Sequence, residues 1–257
     1  MIHFIIPVYN EEKNIQALLF NICALMKSQT FSYRIVIVND GSTDMTEMKI
    51  KEIKGALPIV LLSHSPNQGV GKTFRHGFSE VLSNAQDTDI VVTLEADGTS
   101  DLEILEPMIK KVQAGCDIVL ASCYSAEGGV RGTKLFRVLL SKIANILLRF
   151  FFPLKNINTY SSFYRVFKVQ RLRELDSLYR EKLIEEQGFE CMVELLVKFS
   201  RLPSIQISEV PMILDGEKRR GKSKMKVVKT ITGFLKVILK YGILYRLQSA
   251  FPTFSRS

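Results

Sequence analysis

A short apolar run that ends in two carboxylates constrains this chain more than any other stretch. Residues 90–94 read IVVTL, and Glu95 and Asp97 follow directly, with glycine and small polar residues behind them. The run predicts a buried strand that carries acidic side chains to the end of a sheet, where ligands bind in open α/β folds. Paired carboxylates suit Mg²⁺ or Mn²⁺, which take oxygen ligands and commonly bridge to substrate phosphates. A solvated acidic turn explains this one stretch equally well. The remaining sequence distinguishes the two interpretations.

The pattern of strand, polar turn and helix recurs along the first half of the chain. Strands are predicted at residues 3–8, 34–38, 58–62, 90–94 and 117–121. Three of them end in acidic turns, which contain Glu11, Asp40 and the pair Glu95 and Asp97. This alternation predicts a doubly wound α/β sheet with the acidic turns at one edge. The carboxylates of such an edge repel the phosphates of a nucleotide. A divalent cation bound between them would remove this repulsion by screening the diphosphate.

Composition and motifs exclude several other classes of protein. A chain of 257 residues with 46% hydrophobic content can bury a large core, as one large α/β domain or two small ones. Its four cysteines form no C-x-x-C pair, which predicts reduced thiols in a cytosolic protein. No signal peptide is expected, because Pro7 and Asn10 come too early, and no uncharged apolar run reaches the ~18 residues of a membrane span.

Glycine and histidine patterns point away from two further kinds of site. No G-x-G-x-x-G follows the first strand, and residues 69–73 (GVGKT) are only a fragment of a phosphate loop, so dinucleotide oxidoreduction and P-loop hydrolysis are weak candidates. His3, His64 and His76 lack ligand spacing, and we interpret them as isolated structural or surface residues.

The net charge of +9 suits nucleic acid, an anionic membrane surface or phosphorylated substrates. The excess of lysine and arginine lies on two apolar-backed helical stretches and one loop. Nothing there resembles the interleaved aromatic pattern of single-strand binders. We therefore expect no nucleic acid partner.

Four motifs in order carry a family resemblance: PVYNE (residues 7–11), VNDGSTD (38–44), NQGVGK (67–72) and EADG (95–98). Together they resemble family 2 glycosyltransferases, and most closely the dolichol-phosphate mannosyltransferase-like branch, which moves sugars onto polyprenyl phosphates. The resemblance extends to about residue 226. It implies a GT-A fold, a nucleotide-binding α/β sandwich, in which Pro7, Tyr9, Glu11 and Asp40 hold the nucleoside and Glu95 and Asp97 form the metal motif. Gly69 and Lys72 join the donor site in this interpretation.

Three positions depart from the family pattern. The metal motif usually reads Asp-x-Asp and here begins with Glu95, so Asp97 is the safer ligand. Cys123 stands where the family has arginine, so one expected phosphate contact is either absent or supplied by Arg131. Asn158 replaces the aspartate of the family's Asp-x-x-Ser-Gly-Phe-Arg stretch, which puts a base there in doubt. A phosphate acceptor is already an anion near pH 7, so it can attack without a base.

Residues 134–152 form a strongly apolar helical stretch with one narrow polar stripe. The stripe contains Lys134, Arg137, Ser141, Asn145 and Arg149. We interpret the stretch as a helix in the bilayer interface, and a buried helix with a salt-bridged stripe is the alternative. The family resemblance suggests that Arg137 faces the acceptor phosphate.

The last third of the chain adds an amphipathic helix at residues 188–201, a strand at 205–211 and a basic loop at 215–224. The loop resembles a family segment that closes on phosphates, with Lys218, Arg219, Ser223 and Lys224 as candidate contacts; the alternative is a solvated basic patch. A second basic amphipathic helix at 225–247 follows, which either lies on headgroups or packs against the catalytic domain or another protomer. We predict a GT-A domain at residues 1–224 and a membrane-interface segment at 225–257.

The leading hypothesis is therefore an inverting, metal-dependent glycosyltransferase, with Asp97, Arg137, Arg219 and Lys224 at the reaction centre. The donor is GDP-mannose or a UDP-sugar, the cofactor is Mg²⁺ or Mn²⁺, and the acceptor is a polyprenyl phosphate. The enzyme is expected in the cytoplasm, peripheral on the cytosolic face of a membrane, with a small membrane subunit or a second copy as a possible partner. The alternatives are a family 2 enzyme with a saccharide acceptor and a non-catalytic, membrane-associated nucleotide-sugar binder.

Overall fold

A computed structural model describes residues 1–27, 29, 31–221 and 227–242. Within these residues the strands are β1 (Ile2–Val8), β2 (Tyr33–Asn39), β3 (Ile59–Ser63), β4 (Ile90–Thr93), β5 (Ile118–Ser122), β6 (Gly129–Arg131), β7 (Arg165–Lys168), β8 (Ile207–Pro211) and β9 (Ile213–Asp215). The α-helices are α1 (Ile15–Lys27), α2 (Thr46–Lys54), α3 (Val70–Asn84), α4 (Leu105–Gln113), α5 (Leu135–Phe151), α6 (Val169–Tyr179), α7 (Cys191–Phe199) and α8 (Val227–Val237). A π-helical turn, Ile238–Gly242, continues α8.

The central sheet has the strand order β3-β2-β1-β4-β7-β5-β8. Its pairs are parallel except those of β7, which runs antiparallel to both β4 and β5. The predicted α/β class and the five predicted strands are confirmed. The sequence interpretation missed β7, which has only four residues, and the short parallel pair of β6 with β9.

Helices cover both faces of this sheet, as its Val- and Ile-rich strands require. One core lies between the sheet and α1, α2 and α4. The other lies under α3, α6, α7 and α8, where the Phe167 ring packs edge-on against Phe78 and stacks on Phe199. Because parallel strands point the same way, the polar turns after β1, β2 and β4 meet at one edge.

Helix α7 is buried on every side, so the prediction of an amphipathic helix at this position is wrong. All nine residues are buried, including Glu194 and Lys198, whose carboxylate and ammonium groups lie 2.6 Å apart. Glu194 Oε2 also accepts the backbone N–H groups of Glu185 and Glu186. These bonds compensate the buried charges of Glu194 and Lys198. From helical periodicity alone, both residues are expected on a face exposed to solvent.

Helix α5 shows the reverse of ordinary amphipathicity. Its predicted polar stripe faces the protein in part, since Asn145 is buried and donates to Ser141 O while its own Oδ1 accepts from Tyr160 N. The outward side is apolar, with exposed residues Leu135, Phe136, Leu139, Ile143, Ile146, Leu147 and Phe150. The alternative of a fully buried helix is therefore wrong. No helix in the described part of the chain is long and apolar enough to cross a membrane.

Helix α8 packs against α5 and α7, and its lysines bind the protein's own acids. Lys236 Nζ lies 3.4 Å from Glu186 Oε2, and Lys240 Nζ lies 2.9 Å from Glu185 Oε2. Tyr241 donates its hydroxyl to Glu185 and Glu194. Two lysines of the predicted basic face thus pair with acids of the domain, although their side chains stay largely exposed.

The buried pair of α7 is expected to dominate local stability. Lys198→Met leaves the Glu194 carboxylate buried without its cation and should lower the free energy of unfolding by about 3–5 kcal/mol. Lys51→Met is the matched control, because the Lys51–Glu47 pair on α2 is largely exposed and should change stability by less than about 0.5 kcal/mol. Urea unfolding followed by circular dichroism measures both, and equal losses would contradict this account.

Candidate functional site

A cavity of about 910 Å³ opens at the carboxyl edge of the sheet. The turns after β1, β2 and β4 form one wall, and α5, α8 and the segment before α7 form the other. Of the residues predicted for the site, the structure brings these to the cavity: Pro7, Tyr9, Glu11, Asp40, Gly69, Glu95, Asp97, Arg137 and Arg219. Ser223 and Lys224 lie outside the described residues.

Asp97 binds a cationic side chain from a distant part of the sequence. Its Oδ2 accepts from Arg219 Nε at 2.8 Å and from Arg219 Nη2. Its Oδ1 accepts the backbone N–H of Thr99 at 3.0 Å and the Thr99 hydroxyl at 2.7 Å. Thr99 therefore orients the carboxylate, and its other oxygen is paired with the Arg219 guanidinium.

Glu95 lies among acidic neighbours in the cavity wall. Burial, together with the negative charges of Asp97 and Glu11, raises the pKa of Glu95 to about 8, although Arg219 acts in the opposite direction. Asn14 stabilises Glu11 by donating its amide to Oε2 at 2.6 Å. These surroundings favour the protonated form of Glu95 relative to an ordinary glutamate.

Asp40 is held by a histidine and by the turn that precedes α3. Its carboxylate accepts the backbone N–H groups of Gln68 and Gly69, at 2.9 and 2.8 Å, and lies 2.8 Å from His64 Nδ1. The His64 ring stacks on His76 with 5.3 Å between centroids. The interpretation of these histidines as isolated is wrong: they support a wall residue of the cavity.

Gly71 is required by chain packing at the start of α3. A Cβ there would lie 1.8 Å from Glu186 O, and the Gly71 N–H donates to Gln187 O at 3.0 Å. Lys72, the next residue, is exposed and does not line the cavity. The structure therefore does not bring Lys72 to the donor site, because the first turn of α3 points it outward.

The region expected to hold the acceptor phosphate contains a neutral thiol and one arginine. Burial raises the pKa of Cys123 to about 11, so no charge replaces the family arginine there. Arg137 and Ser141 of α5 line the cavity, whereas Arg131 is exposed and lies outside its lining. Asn158 faces a smaller cavity of about 390 Å³ and donates to Glu209 Oε2 at 3.0 Å.

Sequence reasoning missed a wall of the cavity formed by Gln187, Gly188, Phe189 and Glu190 together with α8. Phe189 stacks on Phe163 at 5.3 Å, which fixes this segment against the sheet side of the cavity. The spacing of Glu190 and Glu194 was visible as one face of a helix. Nothing in the sequence indicated which side of that helix would meet the cavity.

The acidic edge fits a divalent cation that arrives with a phosphate ligand. The described residues contain no group of three or more His, Cys, Asp or Glu side chains that could hold a metal ion. Mg²⁺ is usually bound by one or two carboxylates, several waters and substrate phosphates, so Glu95 and Asp97 suffice in type and number. The Arg219 guanidinium at Asp97 shows that this position attracts a cation.

Comparison with known proteins identifies the class. The sequence model of glycosyl transferase family 2 matches residues 3–176, and the chain belongs to this family. A dolichol-phosphate mannosyltransferase from Pyrococcus furiosus is 30% identical over 241 residues, which cover 92% of this chain and 62% of the relative. The chain thus spans less than two thirds of that relative's length. A polyprenol monophosphomannose synthase from Mycolicibacterium smegmatis is 27% identical, covering 96% of this chain and 88% of the relative.

Solved structures confirm the GT-A fold. Glucosyl-3-phosphoglycerate synthase from Mycobacterium tuberculosis, in complex with Mn²⁺, UDP and phosphoglyceric acid, superposes with a TM-score of 0.63 at 19% identity. The match covers 93% of this chain and 76% of that one. The same enzyme with Mn²⁺ and UDP-glucose gives a TM-score of 0.62 at 20% identity, covering 93% and 76%.

The raised pKa of Glu95 should make the free energy of unfolding depend on pH. Its folded pKa of about 8 exceeds the ordinary value of 4.5, so stability from this group is present below pH 4.5 and is lost as pH rises towards 8. Glu95→Gln mimics the protonated form. Without metal, the unfolding free energy of the variant minus that of the unmodified protein should therefore increase by about 1–3 kcal/mol as the pH rises from 5 to 8.5.

Denaturant unfolding in the presence of a chelator measures this difference. Glu103→Gln is the control, since Glu103 is exposed after the same strand and lies outside the cavity. A Glu95→Gln difference that stays constant across this pH range would contradict the raised pKa of Glu95.

Proposed function

We propose that the protein transfers a sugar, with inversion, from a nucleoside-diphosphate sugar to a polyprenyl phosphate at a membrane surface. One observation carries this proposal: α5 presents Arg137 and Ser141 to the acidic cavity and an apolar face to the outside. A donor site and a lipid-facing surface are thereby joined by a single helix. The names of the two curated relatives support the polyprenyl acceptor.

The nucleoside of the donor is proposed to bind at Pro7, Tyr9, Glu11 and Asp40. The diphosphate lies towards Glu95 and Asp97, which would hold Mg²⁺ or Mn²⁺. The Mn²⁺ and UDP complexes of the structural neighbour support such a cation. When bound, the cation neutralises the leaving diphosphate. Either GDP-mannose or a UDP-sugar is compatible with these contacts.

Arg219 has two partners in this scheme. Arg219 pairs with Asp97 in this structure, and its guanidinium would be free to contact the leaving diphosphate if Asp97 held a cation instead. Ser223 and Lys224 remain candidates for the same role. Arg137 would orient the acceptor phosphate, whose oxygen attacks the anomeric carbon. The new bond joins this carbon to the acceptor oxygen, and the bond to the diphosphate oxygen breaks with its electron pair.

No general base is needed, because the acceptor phosphate is ionised near pH 7. Catalysis then consists of positioning and charge neutralisation. This accounts for Asn158, which is engaged by Glu209 and lines only the smaller cavity.

Removing the carboxylate of Asp97 should abolish transfer. Asp97→Asn keeps the side-chain shape but loses the charge that holds the cation, and we expect sugar transfer to fall by roughly 100-fold or more. The assay follows label from a panel of nucleotide sugars into polyprenyl phosphate in mixed micelles, with Mn²⁺ and with EDTA.

Asp101→Asn is the control for this variant. Its carboxylate accepts Glu103 N and lies outside the cavity, so activity should persist. Full activity of Asp97→Asn, or activity unaffected by EDTA, would refute the cation site. Label that enters only saccharides would replace the lipid acceptor with a saccharide, and nucleotide binding without any turnover would indicate a non-catalytic binder.

The outward face of α5 is proposed to lie in the bilayer interface, peripheral on the cytosolic side. Exposed apolar residues such as Leu139 and Ile146 would be buried there. Replacing both by glutamate should lower binding to anionic lipid vesicles by about 10-fold or more, since burial of each side chain contributes about 1.5–3 kcal/mol when complete.

Vesicle flotation measures this binding, and Leu178→Glu is the matched control. Leu178 is an equally exposed leucine at the end of α6, a helix that is not part of this face. If the α5 variant floats like the unmodified protein while the control behaves identically, α5 does not dock on lipid.

A further inference from the structure

A carboxylate oxygen in the cavity wall has no hydrogen-bond partner. Glu190 is 6% exposed and lines the main cavity. Its Oε1 accepts the backbone N–H of Gly188 at 3.2 Å, whereas Oε2 is buried and unpaired within the described residues. A buried acceptor left unpaired destabilises the folded protein, and more so when it is charged. Such atoms in native proteins are uncommon and call for an explanation, such as a ligand.

Two glycines keep this carboxylate in place. A Cβ at Gly188 would lie 2.5 Å from Glu190 Oε2. A Cβ at Gly233, on the facing side of α8, would lie 2.5 Å from both Oε2 and the carboxyl carbon. Larger residues at either position would move the carboxylate, so the local sequence leaves a space of its size between α7 and α8.

The position of Glu190 follows from its neighbours along the chain. Gln187 is bonded to Gly71 at the start of α3, next to the turn that binds Asp40. Glu190 comes three residues later, where α7 begins and α8 closes the cavity. Glu190 therefore lies in the cavity wall at the start of α7, where Gly233 of α8 faces it.

The charge of the cavity selects the kind of ligand that Glu190 can bind. A phosphate would be repelled by a carboxylate, and no described cation forms an ion pair with Glu190 within 4.0 Å. A neutral hydroxyl donor satisfies Oε2 without adding charge, and hydrogen bonds to ionised acceptors are the strong ones. In a nucleotide sugar, the neutral hydroxyl-rich part beyond the diphosphate is the sugar ring.

We propose that Glu190 recognises the transferred sugar, with Oε2 accepting a hydrogen bond from one of its ring hydroxyls. This inference rests on the proposed function and adds the residue that selects the sugar. A site built to bond a hydroxyl discriminates strongly against an analogue that lacks it, because the buried acceptor is again unpaired. Gly233 completes the space, so α8 forms one wall of this sugar site.

Binding measurements on the full-length protein test this. Isothermal titration with GDP, UDP, GDP-mannose and UDP-glucose in Mn²⁺ buffer compares the unmodified protein with Glu190→Gln. The variant keeps an oxygen for Gly188 N but loses the charge. It should bind the preferred nucleotide sugar about 10- to 100-fold more weakly, while the affinity for the free nucleoside diphosphate stays unchanged.

A second variant and a control make the result decisive. Gly233→Ala leaves Glu190 in the sequence, suits a helix and displaces the carboxylate, so it should weaken sugar-nucleotide binding in the same selective way. If Glu190→Gln does not fold, Gly233→Ala alone decides. Glu186→Gln is the control, since the Glu186 side chain pairs with Lys236 outside the cavity and both affinities should persist.

Deoxy analogues of the preferred nucleotide sugar then identify the hydroxyl. The one that lacks the bonded hydroxyl should bind the unmodified protein more weakly, and should lose nothing further in Glu190→Gln. Unchanged sugar-nucleotide affinity in both variants would overturn the inference, as would an equal loss for the free nucleoside diphosphate. If the unmodified protein bound no nucleotide sugar at all, the proposed function would fail instead.

Discussion

The rest of this structure depends on how one cavity tolerates several carboxylates. Like charges in a poorly solvated space repel, and four of these acids have their own compensation. Glu11 receives an asparagine amide, and Asp40 receives two backbone amides beside a histidine. Asp97 binds Arg219, and the pKa of Glu95 is raised by burial and by its acidic neighbours. Asp97 and Glu95 are the two carboxylates of this cavity that are proposed to hold a divalent cation.

Contacts around these carboxylates connect the edge of the sheet with the C-terminal part of the chain. Arg219 reaches Asp97 across 122 positions of sequence, and Glu190 faces the cavity from the start of α7. Helix α8 is held by ion pairs to Glu185 and Glu186 and touches Glu190 through Gly233. Helix α8 thus forms part of the cavity wall and packs against α5, the helix whose apolar face is proposed to meet lipid.

Departures from the family pattern have a consistent physical meaning in the structure. The thiol of Cys123 is neutral, and Asn158 is engaged by Glu209 away from the main cavity. Neither supplies charge to the reaction centre, which leaves Arg137 and Arg219 as the arginines that line it in the described residues. Sequence comparison located these differences, but whether another residue replaced the lost charge depended on side-chain placement. Arg131, the residue considered for that role, is exposed outside the cavity.

The sequence by itself determined the α/β class, the five main strands and the gathering of acidic turns at one edge. This was possible because βαβ units repeat locally and parallel strands must end on the same side. Only the tertiary structure decided that α7 is buried, that Lys72 points away, that His64 supports Asp40 and that Glu190 faces the cavity. Each of these depends on contacts between residues far apart in the chain, and helical periodicity cannot tell a solvated charge from one that a distant partner satisfies in the core.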